Sequence, residues 1–485
     1  MPRRPSRPGR RAALGSTGSS LLTALDYRPM STAAAYPTVE RARQVSGVLR
    51  RRRAQTLIGT ALFVVTLLVL YVQVLSPIWL SAKLVVGPVN VLAFAAGCLL
   101  LLPCALALPR SFSRPSSVVT WFVFLTVVVP TSTIPFFTLA VSGVRIRPSD
   151  YLRYLLVQNT AFVLMEVVVR WAPIGSRKRR PRLRPLEFRV LLGAMSALLT
   201  GLIFIGFGAN LVQLVNIANP YGQRFRYAAA ASSNGLATYS LFLLAFAVTP
   251  LMMSLGLYYR RQLLIIGSLA SAVLTFSITA FRLALLMPIL AAAMFYVVRA
   301  ARRRGPAVLI VALLLVMAGG LFVRVATGSI QGLFLGTVRT IVTPATITPF
   351  YIDYYSDHPR HHLAYSVLSS IESSPYDRVP PLVVGLAYYD EERMSANTQF
   401  WADGYANFGY PGVVAMTALL MVVLLVLDRV SLGVASEITG TAAAVFASNL
   451  ANGALLTALG SLGFIAILML LAVAPRPPEI PSVSR

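Results

Sequence analysis

Carboxylates are scarce in this chain. Its 485 residues hold 16 Asp and Glu against 43 Lys and Arg, with three His and two Cys. Charged residues of both signs make up 12% of the chain. A soluble domain carries about 25%, so a soluble globular class is excluded. The two cysteines, Cys98 and Cys104, fall six residues apart in one apolar run. That is too far along one helix for a bridge, so a disulfide framework is excluded and both read as buried thiols. Nucleotide loops are missing too: neither GxxxxGKS/T nor GxGxxG occurs. No segment repeats another, which removes support for an inverted-repeat transporter.

Apolar residues are abundant. They make up 56% of the chain, and mean hydropathy is +0.71. Runs of roughly 20 apolar residues recur, each long enough to cross a bilayer as a helix. Open sheets are excluded, because lipid cannot satisfy their backbone groups. The fold class is therefore an all-α polytopic membrane protein. About twelve transmembrane helices are expected, at 54–76, 84–108, 117–142, 151–172, 188–208, 234–258, 262–280, 282–299, 306–323, 410–428, 436–456 and 459–474. Eleven remain possible, since the hairpins at 262–299 and 436–474 turn within a few residues.

The net charge of +27 invites a nucleic-acid reading. Placement argues against it. Basic residues gather in the tail and in alternate short loops, including PRSFSRPS, GSRKRRPRLRP, YRRQ and RAARRRG. This is the positive-inside pattern, and it puts both termini in the cytoplasm. The expected division is a disordered basic cytoplasmic tail at 1–53, spans at 54–323, a large extracytoplasmic loop at 324–409, further spans at 410–475 and a short tail at 476–485. Asp26 and Glu40 are the only acids before Arg53. The early twin arginines lack the short apolar region of a cleaved signal. The expected location is the cytoplasmic (inner) cell membrane.

The segment 324–409 is far longer than an ordinary connection, and such loops carry function or disorder. It holds half of the acids: Asp353, Asp357, Glu372, Asp377, Asp390, Glu391, Glu392 and Asp403. All three histidines, His358, His361 and His362, are there as well. Apolar runs such as IQGLFLGTVRTIV and ITPFYIDYY argue for short helices on the outer membrane face. HPRHH at 358–362 places His358 and His362 four apart, a helical ligand spacing. Pro359 stands between them and HExxH is absent, so a surface histidine cluster outweighs a metal site, with a general base or phosphate contact as the third reading.

Arginines expected outside run against the topogenic rule: Arg145, Arg147, Arg224, Arg226, Arg282, Arg324, Arg339, Arg360, Arg378 and Arg393. Arg282 stands out. It sits in SITAFRLALLMPIL, inside an almost uncharged hairpin, where an ionisable group needs a partner. Its fork of donors suits phosphate; the competing reading is snorkelling to the interface. Glu166 and Arg170, four apart in the fourth span, read as a structural ion pair. Last comes ANTQFWADGYANFGYPGVV at 396–414. Gly404, Gly409 and Gly412 permit bends and close approach, and Asp403 supplies an acid. Trp401, Tyr405, Phe408 and Tyr410 suit the interface or sugar stacking.

The run from Asp403 through Tyr405, Phe408 and Gly409 to Gly412, opening a late span after a long outside loop, resembles the O-antigen polymerase family. SITAFRLALLMPIL and the twelve-span plan with one late loop resemble it as well. The family also shows an Arg, ten residues, then a Gly in two outside loops, a spacing met here by Arg224 with Gly235 and by Arg393 with Gly404. The likeness covers most of the architecture after residue 53, but its sharp motifs cover only 396–414 and the Arg282 region.

The resemblance implies a glycosyltransferase that joins lipid-linked oligosaccharide repeat units, with an undecaprenyl-diphosphate-type donor and no cofactor. Membrane lipids, a chain-length regulator and a flippase are the implied partners; nucleic acid is not one. Departure of the lipid diphosphate needs cations, and Arg282, Arg224 and Arg393 are the candidates. The attacking hydroxyl needs a base, for which Asp403 leads and His361 or His362 follows. A glycan ligase using the same donor is the alternative, kept open by HPRHH. A non-catalytic exporter or flippase is the reading from another class. The scarcity of charge within the spans weighs against it.

Overall fold

The structure, a computed structural model, describes residues 36–78, 85–173, 182–209, 212–213, 221–366 and 368–476, with side chains from residue 53 onward except Tyr221. Among the described residues every regular element is a helix. Residues 51–485 form one compact unit, to which every contact described below belongs. The chain is already helical from Tyr36 and runs through the Arg50–Arg53 cluster into the first span. Of the tail expected to be disordered, residues 36–53 are helical and residues 1–35 lie outside the described residues. Arg, Ala, Gln and Leu are good helix formers, and extending a nucleated helix is easy.

Nine helices are long and apolar enough to cross a membrane among the described residues. These are α1 (Arg53–Ile78), α3 (Pro115–Phe137), α4 (Pro148–Trp171), α5 (Pro185–Phe207), α7 (Gly235–Tyr259), α8 (Gln262–Thr279), α9 (Arg282–Arg304), α10 (Ala307–Thr327) and α14 (Tyr410–Val430). Two more are apolar but shorter, α2 (Val91–Ala107) and α17 (Phe464–Val473). Proline opens α3, α4 and α5, where its missing N–H is not needed and its fixed φ suits a first turn. The span expected at 436–456 is α15 (Ser436–Ala451), short, rich in small and polar residues, and buried along its whole length. It packs on α3 and α9, and a Cβ on Gly440 would come within 2.8 Å of Val298. The last hairpin thus buries a polar helix instead of exposing an apolar one.

Residues 331–357 form one continuous helix, α11, whose stretch from Pro344 to Ile352 is wholly buried. The expectation of short helices lying on the membrane face fails here. The apolar runs that suggested them are inserted into the bundle, against α3 and α13 (Phe400–Phe408). Only α12 (Pro380–Tyr389) and α13 are short. The remaining elements are α6 (Tyr221–Ala231) and α16 (Leu455–Leu459).

The expected Glu166–Arg170 pair does not form. Glu166 lies on the buried face of α4, while Arg170 is exposed, and no ion pair joins them. Nearby, Asp428 of α14 accepts from the Ser116 N–H at 3.0 Å and its hydroxyl at 2.8 Å, which ties α14 to the start of α3. Of the two thiols, Cys104 is buried as expected, whereas Cys98 is half-buried.

Candidate functional site

The segment 396–414 folds as a tight helical hairpin, α13 followed directly by α14. Gln399 starts it. Its Oε1 accepts the Trp401 N–H at 2.7 Å, and its Nε2 donates to the Tyr154 hydroxyl at 2.8 Å and Gln158 Oε1 at 3.2 Å. One side chain thus caps α13 and anchors it to α4. The glycines then explain themselves. A Cβ on Gly412 would overlap the Gly404 carbonyl oxygen, so the two helices cross at backbone contact. Gly409 makes the turn with φ +66°, a conformation side chains rarely adopt. Trp401 and Tyr405 are buried and cannot stack on sugars as the sequence suggested. The Trp401 indole N–H donates to Thr417 Oγ1 at 2.7 Å.

Asp403 lies within this packing, 7% exposed. Its Oδ1 accepts from the Tyr365 hydroxyl at 3.2 Å. Burial pushes the carboxyl up to about 7, with the Tyr365 hydrogen bond opposing. Asn407, one turn on, supports both groups. Its Nδ2 donates to the Asp403 carbonyl at 2.9 Å and the Tyr365 oxygen at 3.3 Å, while its Oδ1 accepts the Leu363 N–H at 2.8 Å. A carboxyl poised near neutrality and hydrogen-bonded to a tyrosine hydroxyl is suited to proton transfer.

The three histidines do not act together. His361 is fully buried; its Nε2 meets the Tyr355 hydroxyl at 2.9 Å and its ring packs edge-on against Tyr365 at 5.2 Å. Burial, and then the neighbouring His362, push its pKa down to about 4, so it is neutral. His362 is exposed, meets Glu372 at 3.0 Å and stacks on Phe408 at 5.6 Å. His358 stacks on Tyr354 at 4.1 Å. Among the described residues no group of three His, Cys, Asp or Glu is arranged for a metal. Of the expected bases, Asp403 and His361 share the neighbour Tyr365, and His362 lies outside that group.

Two of the three expected phosphate ligands, Arg282 and Arg224, meet elsewhere, around the turn between α8 and α9. Ala280 takes φ +55° there, and the Phe281 N–H donates to Thr279 Oγ1 at 3.1 Å. Arg282 follows and donates to Gln331 Oε1 at 3.1 Å. Arg224 of α6 donates to the Ala280 carbonyl at 3.3 Å and sits 5.6 Å from the Phe281 ring. Arg393 reaches the same helix, 5.1 Å from the Phe225 ring. The Arg-to-Gly spacing finds no shared contact. A Cβ on Gly235 would meet nothing, and Gly404 serves the crossing with Gly412.

Sequence reading named Arg360 only as one of ten arginines and did not single out Arg153, Tyr365, Asn407 or Gln399. Tyr365 carries no spacing signal and reaches Asp403 only through the fold of 358–376, whereas Asn407 stands four residues after Asp403 on α13, a helical spacing the sequence did offer. Gln399, directly before an apolar helix, is a position where an N-cap is sought, and that was the available clue. Taken together, the described residues are those of an all-helical, membrane-embedded protein in which a buried acid–tyrosine–histidine group stands apart from an arginine group at the α8–α9 turn. No family model, no curated protein and no solved structure matches it.

Proposed function

We propose that this protein is a glycosyltransferase that polymerises oligosaccharide repeat units carried on a lipid diphosphate. In this reading about twelve segments cross the cytoplasmic membrane, both termini are cytoplasmic, and 324–409 faces outward. The single observation carrying it is Asp403, a buried carboxyl with its pKa raised to about 7, set in the glycine-rich hairpin and hydrogen-bonded to Tyr365. In the reaction, a sugar hydroxyl of one lipid-linked unit forms a bond to the anomeric carbon of another. The bond from that carbon to the diphosphate oxygen breaks. The hydroxyl proton passes to Asp403, and the lipid diphosphate leaves as an anion. Arg282, Arg224 and Arg393 offer cationic stabilisation for one of the two diphosphates that the reaction brings together. Tyr365 and Asn407 orient the base.

A glycan ligase with the same donor is the second reading, favoured by the buried neutral His361 beside Tyr355. Gene deletion separates the two. Accumulated single repeat units on the lipid carrier support the polymerase, and long unattached chains support the ligase. Within the polymerase reading, Arg282→Ala abolishes chain growth while the protein still inserts. Normal polymer from a stably inserted Arg282→Ala protein refutes the role of Arg282.

A further inference from the structure

We infer that Arg153 and Arg360 form a diphosphate-binding clamp over the rings of Tyr405 and Tyr410. Neither arginine belongs to the group around Ala280. The inference rests on the reading of Asp403 as the base, since Tyr405 and Tyr410 flank it on the same hairpin.

The geometry is specific. The Tyr405 and Tyr410 rings meet edge to face, centroids 5.3 Å apart. The Arg360 guanidinium lies 5.4 Å from the Tyr405 centroid, and that of Arg153 lies 5.4 Å from the Tyr410 centroid. Each ring of one aromatic pair therefore carries a cation on its face. Both guanidinium charges, and the exposed Asp150, act on the Tyr410 hydroxyl.

Neither arginine makes an ion pair with a described residue. Among the described residues no carboxylate lies within 4.0 Å of Arg153 or Arg360. Arg360 makes one long hydrogen bond, from Nη2 to the Tyr355 carbonyl at 3.4 Å. Its Nε is buried and has no partner. Gly409 is where the guanidinium rests; a Cβ there would come within 2.7 Å of its central carbon. The turn glycine of the motif thus also makes room for a cation.

Two guanidinium charges face one aromatic pair with only the exposed Asp150 carboxylate nearby, so the pair carries net positive charge, and an orphaned buried N–H is costly. A ligand with two anionic centres neutralises both guanidinium groups. Guanidinium donors match phosphate oxygens two at a time, which makes a diphosphate the fitting class. The shared chemistry is the diphosphate, whether borne on a prenyl lipid or released free.

The test uses the full chain in neutral phosphatidylcholine nanodiscs, with binding of farnesyl diphosphate and of inorganic pyrophosphate measured by calorimetry. Wild type is expected to bind. Arg153→Ala and Arg360→Lys are each expected to weaken binding at this site tenfold or more, and the double variant to lower the stoichiometry from two diphosphates per chain to the one at Arg282 and Arg224, at unchanged melting temperature. Arg153 is exposed, so its removal leaves folding intact; Arg360→Lys keeps the charge and tests the fork of donors. Farnesyl diphosphate bound at least tenfold tighter than pyrophosphate assigns the clamp to a lipid-borne diphosphate, and equal binding assigns it to the free one. Wild-type stoichiometry and affinity for both ligands in the double variant overturn the inference. Binding requires no turnover, so a protein that binds but does not elongate glycans rejects the polymerase and leaves the clamp standing.

Discussion

Asp403→Asn separates a functional carboxyl from a structural one by the sign of its effect. Burial raises the Asp403 carboxyl from its ordinary 3.8 to about 7. Each pH unit of difference corresponds to about 1.4 kcal/mol, so ionising it in the folded protein costs on the order of 4 kcal/mol more than in the unfolded chain. The folded state holds the proton more tightly. The stability this contributes is complete below 3.8 and is lost as pH rises to about 7. Asn cannot ionise, and its Oδ1 still accepts from Tyr365. Asp403→Asn should therefore match wild type near about pH 4 and be more stable near about pH 8. Glycan transfer should be lost at both, whereas the wild-type rate rises with pH through about 7 as the base deprotonates. Melting curves of the purified protein across pH, beside a transfer assay with lipid-linked substrate, measure the two effects. A variant that is less stable than wild type at about pH 8, or that keeps the wild-type pH slope of stability, refutes the burial argument.

Other perturbations follow from the same contacts. Gly412→Ala drives a methyl into the Gly404 carbonyl and should cost about 1–3 kcal/mol, read as a lower melting temperature. Gly235→Ala meets open space and should melt like wild type. Gln399→Leu removes the α13 cap and leaves the Tyr154 and Gln158 ends of its hydrogen bonds unmet. Its cost should be about 1–3 kcal/mol, seen in the same melts. His361, pushed down to about 4, should keep the imidazole nitrogen shifts of a neutral ring at about pH 6. Because the unfolded ring takes its proton first, stability falls as pH drops from 6.5 toward 4, and His361→Gln should remove that limb.

Much of the fold was legible in order along the chain. The long spans fall where the apolar runs are, because hydropathy is a sum over neighbours in sequence. The misses share one cause. α11 reads as surface helices since its apolar runs are broken by polar residues, yet Thr346 and Thr348 satisfy their hydroxyls within the helix and so enter the core. Glu166 and Arg170 have the spacing of a pair, but one falls on the buried face of α4 and the other does not. At the site, Asp403 and the glycines of the hairpin were legible because they share one short motif.

Length, hydropathy and the placement of arginine determined by themselves that this chain is helical and embedded in a membrane, since lipid exposure is settled residue by residue. Which charged groups meet was decided only by tertiary structure. Tyr365 reaches Asp403 from 38 residues away, and Arg153 and Arg360 reach one aromatic pair from separate elements. Contacts between distant segments depend on how helices cross, and here the crossing is fixed by backbone touching backbone at Gly404 and Gly412.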